Sequence, residues 1–202
     1  MKRKLPQSTY KEIRPYINDG DLFLWRGTSP LAKAIQLWSP DNHASISFEF
    51  MKFNIRRLML YESLGHGVEP EFLSSRVARY KGRIFWYPVD PAWNTYRQRI
   101  YEKAEKYGGI KYDFWGLIKN IAGHISADFK RLICSEFVYL AVKDAGIPIS
   151  NWPLKKAPRP SDLLKLGVWS TLGVEIVKEK TNGGTTNDSG QQGNTHSKNR
   201  DR

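Results

Sequence analysis

The stretch His43-Ala44-Ser45-Ile46-Ser47-Phe48-Glu49-Phe50 alternates strictly between apolar and polar side chains after its first residue. A strand turns successive side chains to opposite faces, so Ala44, Ile46, Phe48 and Phe50 share one side and His43, Ser45, Ser47 and Glu49 the other. Upstream, Ser39-Pro40-Asp41-Asn42 stops a helix that Ser29 caps and Pro30 opens, running through LAKAIQLW. Before that helix, Asp21–Trp25 is a short apolar strand entered through the Asn18-Asp19-Gly20 turn. Downstream, Arg57–Ser63 is a further strand with Leu58, Leu60 and Glu62 on one side. Gly65-His66-Gly67 then turns the chain, Glu71–Ser75 has short helical character, and Arg83–Val89 is another strand. After Pro91 the period changes. Tyr96, Ile100, Tyr101 and Ala104 fall at helical spacing over Asn94–Tyr107, which Gly108-Gly109 ends. Asp113–His124 and Cys134–Ala145 are further helices, the latter with Phe137, Val138, Leu140 and Ala141 on its apolar side and Gly146 as its stop. Pro158–Leu166 is a short last helix with Ser161 as its cap. Mostly antiparallel strands early and helices late predict an α+β domain.

The chain has 202 residues, a length that suits one domain with an appendage. Hydrophobic residues make up 40% and seven are Trp, enough for a sizeable core and against wholesale disorder. The single Cys excludes an internal disulfide framework and a multi-Cys metal site. From Asn182 to Arg202 there is no hydrophobic residue, which predicts a disordered polar tail and leaves residues 1–181 as the domain. His196 lies in that tail. No apolar run approaches the roughly 20 residues that span a bilayer, and MKRKLPQSTYKEIRPY lacks the apolar core of a secretory signal. The expectation is a protein that is cytoplasmic as synthesised.

A net charge of +12, dispersed from Arg56-Arg57 through Lys155-Lys156, suits an anionic partner: nucleic acid, acidic lipid or an anionic cell-wall polymer. It equally suits a solvated basic surface. A nucleic-acid-binding protein with an incidental Cys rests on this charge alone, because no helix-turn-helix, zinc-finger or RNA-recognition motif organises it.

Cys134 stands at the start of the helix expected over Cys134–Ala145. Free backbone N–H groups and the helix dipole there favour an anion and lower a thiol's pKa from about 8.5. The plainer alternative is a small buried core residue. His43 begins a strand just after a polar loop, the fixed and accessible position a general base needs; an ordinary strand-end His is the alternative. Glu62 lies on a neighbouring apolar strand, where a carboxylate needs a partner, and as an orienter it would accept a hydrogen bond from the imidazole. A charge reaching solvent is its alternative. His66, between two glycines, is a rival base, and His124 suits a helix C-terminus.

GDLFLWRG, SPLAKAIQLWSPDNHASISF, LYESLGHGV, YGGIKYDFWGL, LICSEFVYLAVKDAG and PRPSDL follow one another in the order seen in circularly permuted, NlpC-type papain-like cysteine hydrolases. The chain resembles that family over roughly residues 18–167. In the permuted group the His strand precedes the Cys helix, as His43 precedes Cys134. The resemblance implies a small antiparallel sheet whose His strand packs on a Cys-bearing helix, with Cys134 as nucleophile, His43 as base and Glu62 as orienting residue. Tyr112 and Asp113 match a Y-D element that lines the site or simply starts a helix.

The roles imply attack of the Cys134 thiolate on a carbonyl, protonation of the leaving group by His43, and hydrolysis of the acyl-enzyme. The backbone N–H of Cys134 would help hold the oxyanion, and no cofactor or metal is called for. The resemblance points to amide bonds in peptidoglycan stem peptides. Permuted relatives resembling lecithin:retinol acyltransferase offer lipid acyl groups as the alternative substrate. A wall substrate would require delivery by lysis, in a phage particle or by a secretion device.

Overall fold

The computed structural model describes residues 5–37, 39–64, 67–107, 129–149 and 158–179. The expected helix over Asp113–His124, the His66 turn, Tyr112, Asp113 and the tail lie outside the described residues.

The core of the molecule is a seven-stranded sheet. In chain order its strands are β1 (Gln7–Thr9), β2 (Leu22–Gly27), β3 (His43–Lys52), β4 (Ile55–Leu64), β5 (Gly67–Phe72), β6 (Gly82–Tyr87) and β7 (Val174–Val177). They lie side by side as β1-β7-β6-β2-β3-β4-β5. All neighbours are antiparallel except β1 and β7, which run parallel. The small antiparallel sheet expected is therefore larger and mixed. Among the described residues the α-helices are α1 (Tyr10–Ile13), α2 (Pro30–Gln36), α3 (Leu73–Arg79), α4 (Arg97–Tyr107) and α5 (Phe129–Asp144). This is an α+β fold.

The alternation of β3 decides which layer lies on which side. Ala44, Ile46 and Phe48 join Leu22, Leu24, Tyr61 and Phe85 in a core closed by α4 and α5, where Phe48 stacks on Tyr61 at 4.1 Å. The opposite face buries Phe23, Trp25, Leu58, Leu60 and Trp86 under Ile13, Ile17 and the α3 residues Leu73 and Val77. Both faces are covered, so His43, Ser45 and Ser47 are buried too, and each needs a partner. Ser45 accepts from the Trp25 indole at 2.8 Å, and Ser47 donates to the Asn18 carbonyl at 2.8 Å.

Several expected boundaries move. Ser29 caps α2 as expected, accepting from Ala32 N at 3.1 Å. Glu71–Ser75 instead straddles the end of β5 and the start of α3. Pro70 is tolerated in β5 because that strand is the sheet's edge. Asn94–Tyr107 divides into a 3-10 turn, Pro91–Tyr96, followed by α4. Ser161 does not cap the last helix. Arg159 takes that position, its N–H donating to Asp162 at 3.2 Å, and Ser161 meets the Ser39 hydroxyl at 3.2 Å.

Asp21 fastens the start of β2. Its wholly buried carboxylate accepts from Asn18 N, Val89 N, the Trp86 indole and the Arg97 guanidinium, all within 3.0 Å. Burial pushes its carboxyl up, against the pull of Arg97 and these donors.

Candidate functional site

Strand register brings the first two site residues together. Trp25 pairs with His43, and Ser45 pairs with Glu62, so His43 and Glu62 lie diagonally on one face. His43 Nε2 stands 3.0 Å from Glu62 Oε2. The carboxylate is only 1% exposed and its second oxygen is taken by Arg76, whose Nε donates to Oε1 at 2.8 Å. Arg76 projects from α3 and is itself packed over the rings of Trp25 and Tyr80, at 5.0 and 5.1 Å. Both carboxylate oxygens are therefore fixed, and the imidazole is held in one orientation.

The third residue arrives from the helix that covers the sheet's other face. Cys134, on α5, is fully buried, and its thiol is hydrogen-bonded to His43. With Nε2 committed to Glu62, Nδ1 is the ring nitrogen left for the sulfur. His43 is the first residue of β3, at the end of the sheet, where one ring can touch groups from both layers. Of the expected site residues, the structure thus brings Cys134, His43 and Glu62 into one chain of contacts.

Electrostatics set the charge state. Burial alone would lower the pKa of His43. The charge and hydrogen bond of Cys134, then those of Glu62, outweigh it and raise the imidazole from 6.5 to about 9. Burial pushes Glu62 up, but the His43 hydrogen bond and charge, followed by Arg76, hold it below the ordinary carboxylate value. Both shifts favour the charged forms, imidazolium and carboxylate, in a site where an unpaired charge would be costly.

One expectation about Cys134 is corrected. Helix α5 begins at Phe129, so Cys134 is its sixth residue and not its first. Only the first four N–H groups of a helix are free, and the dipole's influence fades within the first turn. The Cys134 amide belongs to the helical ladder and does not offer an oxyanion donor. The neighbour that acts on the thiol is His43.

Sequence reading missed Arg76, which looked like one of many dispersed basic residues. The only signal was a need: a buried carboxylate on an apolar strand requires more donors than one imidazole supplies. Ser135, next to Cys134, donates to the Pro158 carbonyl at 2.5 Å, which ties α5 to the PRPSDL segment. Tyr112, Asp113, His66 and His124 lie outside the described residues.

Comparison with known proteins bears on the fold. No known family and no curated protein matches this sequence. Among solved structures, the chain resembles metalloprotein yiiX from Escherichia coli O157:H7 (DUF1105), with a TM-score of 0.54 at 20% identity over 81% of this chain and 98% of that one. At that identity the likeness speaks for the fold alone.

Proposed function

We propose that this protein is a cysteine hydrolase of permuted papain-like, NlpC-type architecture, cleaving an amide bond through an acyl-enzyme. The observation that carries the reading is the buried Cys134–His43–Glu62 chain, with Glu62 held a second time by Arg76. A structural core cysteine has no need of an imidazolium beside it or of a doubly anchored carboxylate behind that imidazole. The order of the parts, His strand before Cys helix, agrees with the permuted family.

Each group has one task. The Cys134 sulfur, as thiolate, forms a bond to the substrate carbonyl carbon. His43 gives its proton to the departing amine as the C–N bond breaks, leaving a thioester. His43, now neutral, takes a proton from water, whose oxygen displaces the thiolate and releases the acid. Glu62 keeps the imidazole oriented and stabilises its charged form throughout.

The neighbour yiiX is a metalloprotein. Among the described residues here, no three His, Cys, Asp or Glu side chains are grouped to hold an ion, and both Glu62 oxygens are already bonded. This donor set does not fit a metal, and no step is routed through one.

For the substrate we take an amide in peptidoglycan stem peptides, the class the family resemblance supports. The test is incubation with purified peptidoglycan fragments and, separately, with phospholipid vesicles, followed by mass spectrometry. Release of stem-peptide fragments by the wild type but not by Cys134→Ala is expected. Fatty-acid or acyl-transfer products with intact wall fragments would move the substrate to lipid. Nucleic-acid binding that falls steeply with salt and ignores Cys134→Ser, with no hydrolysis, would overturn the enzyme reading.

A further inference from the structure

The hairpin joining β3 to β4 carries a surface that the hydrolase reading does not use. Lys52 pairs with Ile55 across a two-residue turn in which Phe53 and Asn54 both have positive φ, 51° and 59°. Such turns favour Asn followed by Gly, because a larger side chain in the left-handed region crowds the following carbonyl. A phenylalanine here carries that local cost and recovers nothing by burial, since Phe53 is 86% exposed. Met51, Ile55 and Phe50 stand beside it, each roughly half exposed.

Next to this tip lies a groove of about 430 Å³. Phe53, Ile55 and Phe72 supply apolar lining, Arg14, Lys52 and Arg57 supply three cations, and no carboxylate lines it. The acidic side chains nearby are committed elsewhere, Glu49 to Arg56 and Glu71 to Arg79. Cations mixed with apolar side chains around a projecting turn match a surface whose phosphates overlie hydrocarbon.

We propose that this hairpin tip and its groove dock the protein on an anionic phospholipid bilayer. Phe53, with Met51 and Ile55, enters the boundary between headgroups and acyl chains, while Arg14, Lys52 and Arg57 take the lipid phosphates. A soluble anion would use the cations but leave the outward Phe53 without purpose. Along the ten residues of β3, at about 3.3 Å each, the tip stands roughly 30 Å from His43. The tip is therefore a tether and not part of the reacting site, and it holds whether or not the hydrolase reading does.

The test is co-sedimentation of the full chain with vesicles of phosphatidylcholine alone or mixed equally with phosphatidylglycerol. Binding to the mixed vesicles is expected to be at least about tenfold tighter than to the neutral ones. Phe53→Asn should weaken it about tenfold while the melting temperature holds or rises, because Asn suits the turn; Phe53→Gly is the second variant should the first fold poorly. Arg14→Ala with Arg57→Ala should abolish the preference for anionic vesicles. Failure to sediment, equal binding to neutral vesicles, or wild-type binding by the Phe53 variants would each overturn the proposal. Glycerol phosphate that displaces the protein from vesicles at millimolar concentration would also overturn it, by making the groove a site for soluble anions.

Discussion

At its first residue β3 buries an ionisable side chain, and just past its last it exposes an aromatic one. Around His43 every polar atom is matched: Glu62 behind the ring, Arg76 behind Glu62, and Cys134 in front. Around Phe53 an apolar ring stands in water on a backbone that would rather carry Asn or Gly. Both ends break the rule that ordinary residues follow, charge outside and carbon inside. The buried end is stabilised by its partners in the fold. The exposed end has only the Lys52 ammonium, 5.6 Å from the Phe53 ring centroid, and no burial to offset its strained backbone, which is the physical ground for assigning it a partner outside. Features that contradict local preference and lack an internal compensation point outward; those with full compensation point to chemistry within.

The contrast can be broken first at the buried end. Cys134→Ala should lower amide hydrolysis by on the order of 10³-fold or more with little change in melting temperature. Residual turnover near the wild-type rate would remove the nucleophile.

Glu62→Gln comes next. It leaves Arg76 and the His43 ring without their carboxylate, and the fold should lose about 3 kcal/mol in denaturant titration. The same variant shifts the pH profile in a defined direction. His43 is raised to about 9 partly by Glu62, so wild-type kcat/KM should decline as pH rises through about 9. In Glu62→Gln that alkaline limb should move to lower pH. An unmoved limb would show that Glu62 does not act through His43. Stability follows the same signs. The contribution of His43 is complete below its ordinary value of 6.5 and is lost as pH rises through about 9. That of Glu62, whose pKa is depressed, is present above the ordinary carboxylate value and is lost on acidification.

Arg76→Lys keeps the charge but removes the planar group that lies over Trp25 and Tyr80. About 1–2 kcal/mol of stability should go. A purely structural role would leave the alkaline limb of kcat/KM in place, whereas a positioning role through Glu62 displaces it.

The smallest effect belongs to the exposed end. Phe53→Asn should stabilise the folded chain by about 1 kcal/mol through relief at the left-handed position. Loss of stability instead would show that the ring packs on the domain and that the two ends are less different than their exposures indicate.

Local periodicity made much of this protein legible. The alternation in β3, the Ser29-Pro30 helix start and the apolar spacing after Cys134 are each set by neighbours within a few residues, and each element is present. So is the α+β class, because strands and helices segregate along the chain. The candidate trio was legible as residue types, although nothing local said that His43 and Glu62 would lie 3.0 Å apart; that distance follows from the pairing of β3 with β4. What escaped reading depends on distant parts of the chain. Strands β1 and β7 have three and four residues and exist because the two ends of the domain pair with each other. The start of α5 is the exception, because it was legible and overlooked: Asp128, a good cap residue type, directly precedes Phe129, and Phe129, Leu132 and Ile133 already fall at the helical spacing that Phe137 continues. Arg76 acquires its role only when α3 packs over Trp25. Sequence determined which segments would be strands and helices and which residues had chemistry to offer, because those properties are short-range. Tertiary structure alone decided who faces whom, because register and layer packing join residues far apart in the chain by burial and electrostatics that no local pattern encodes.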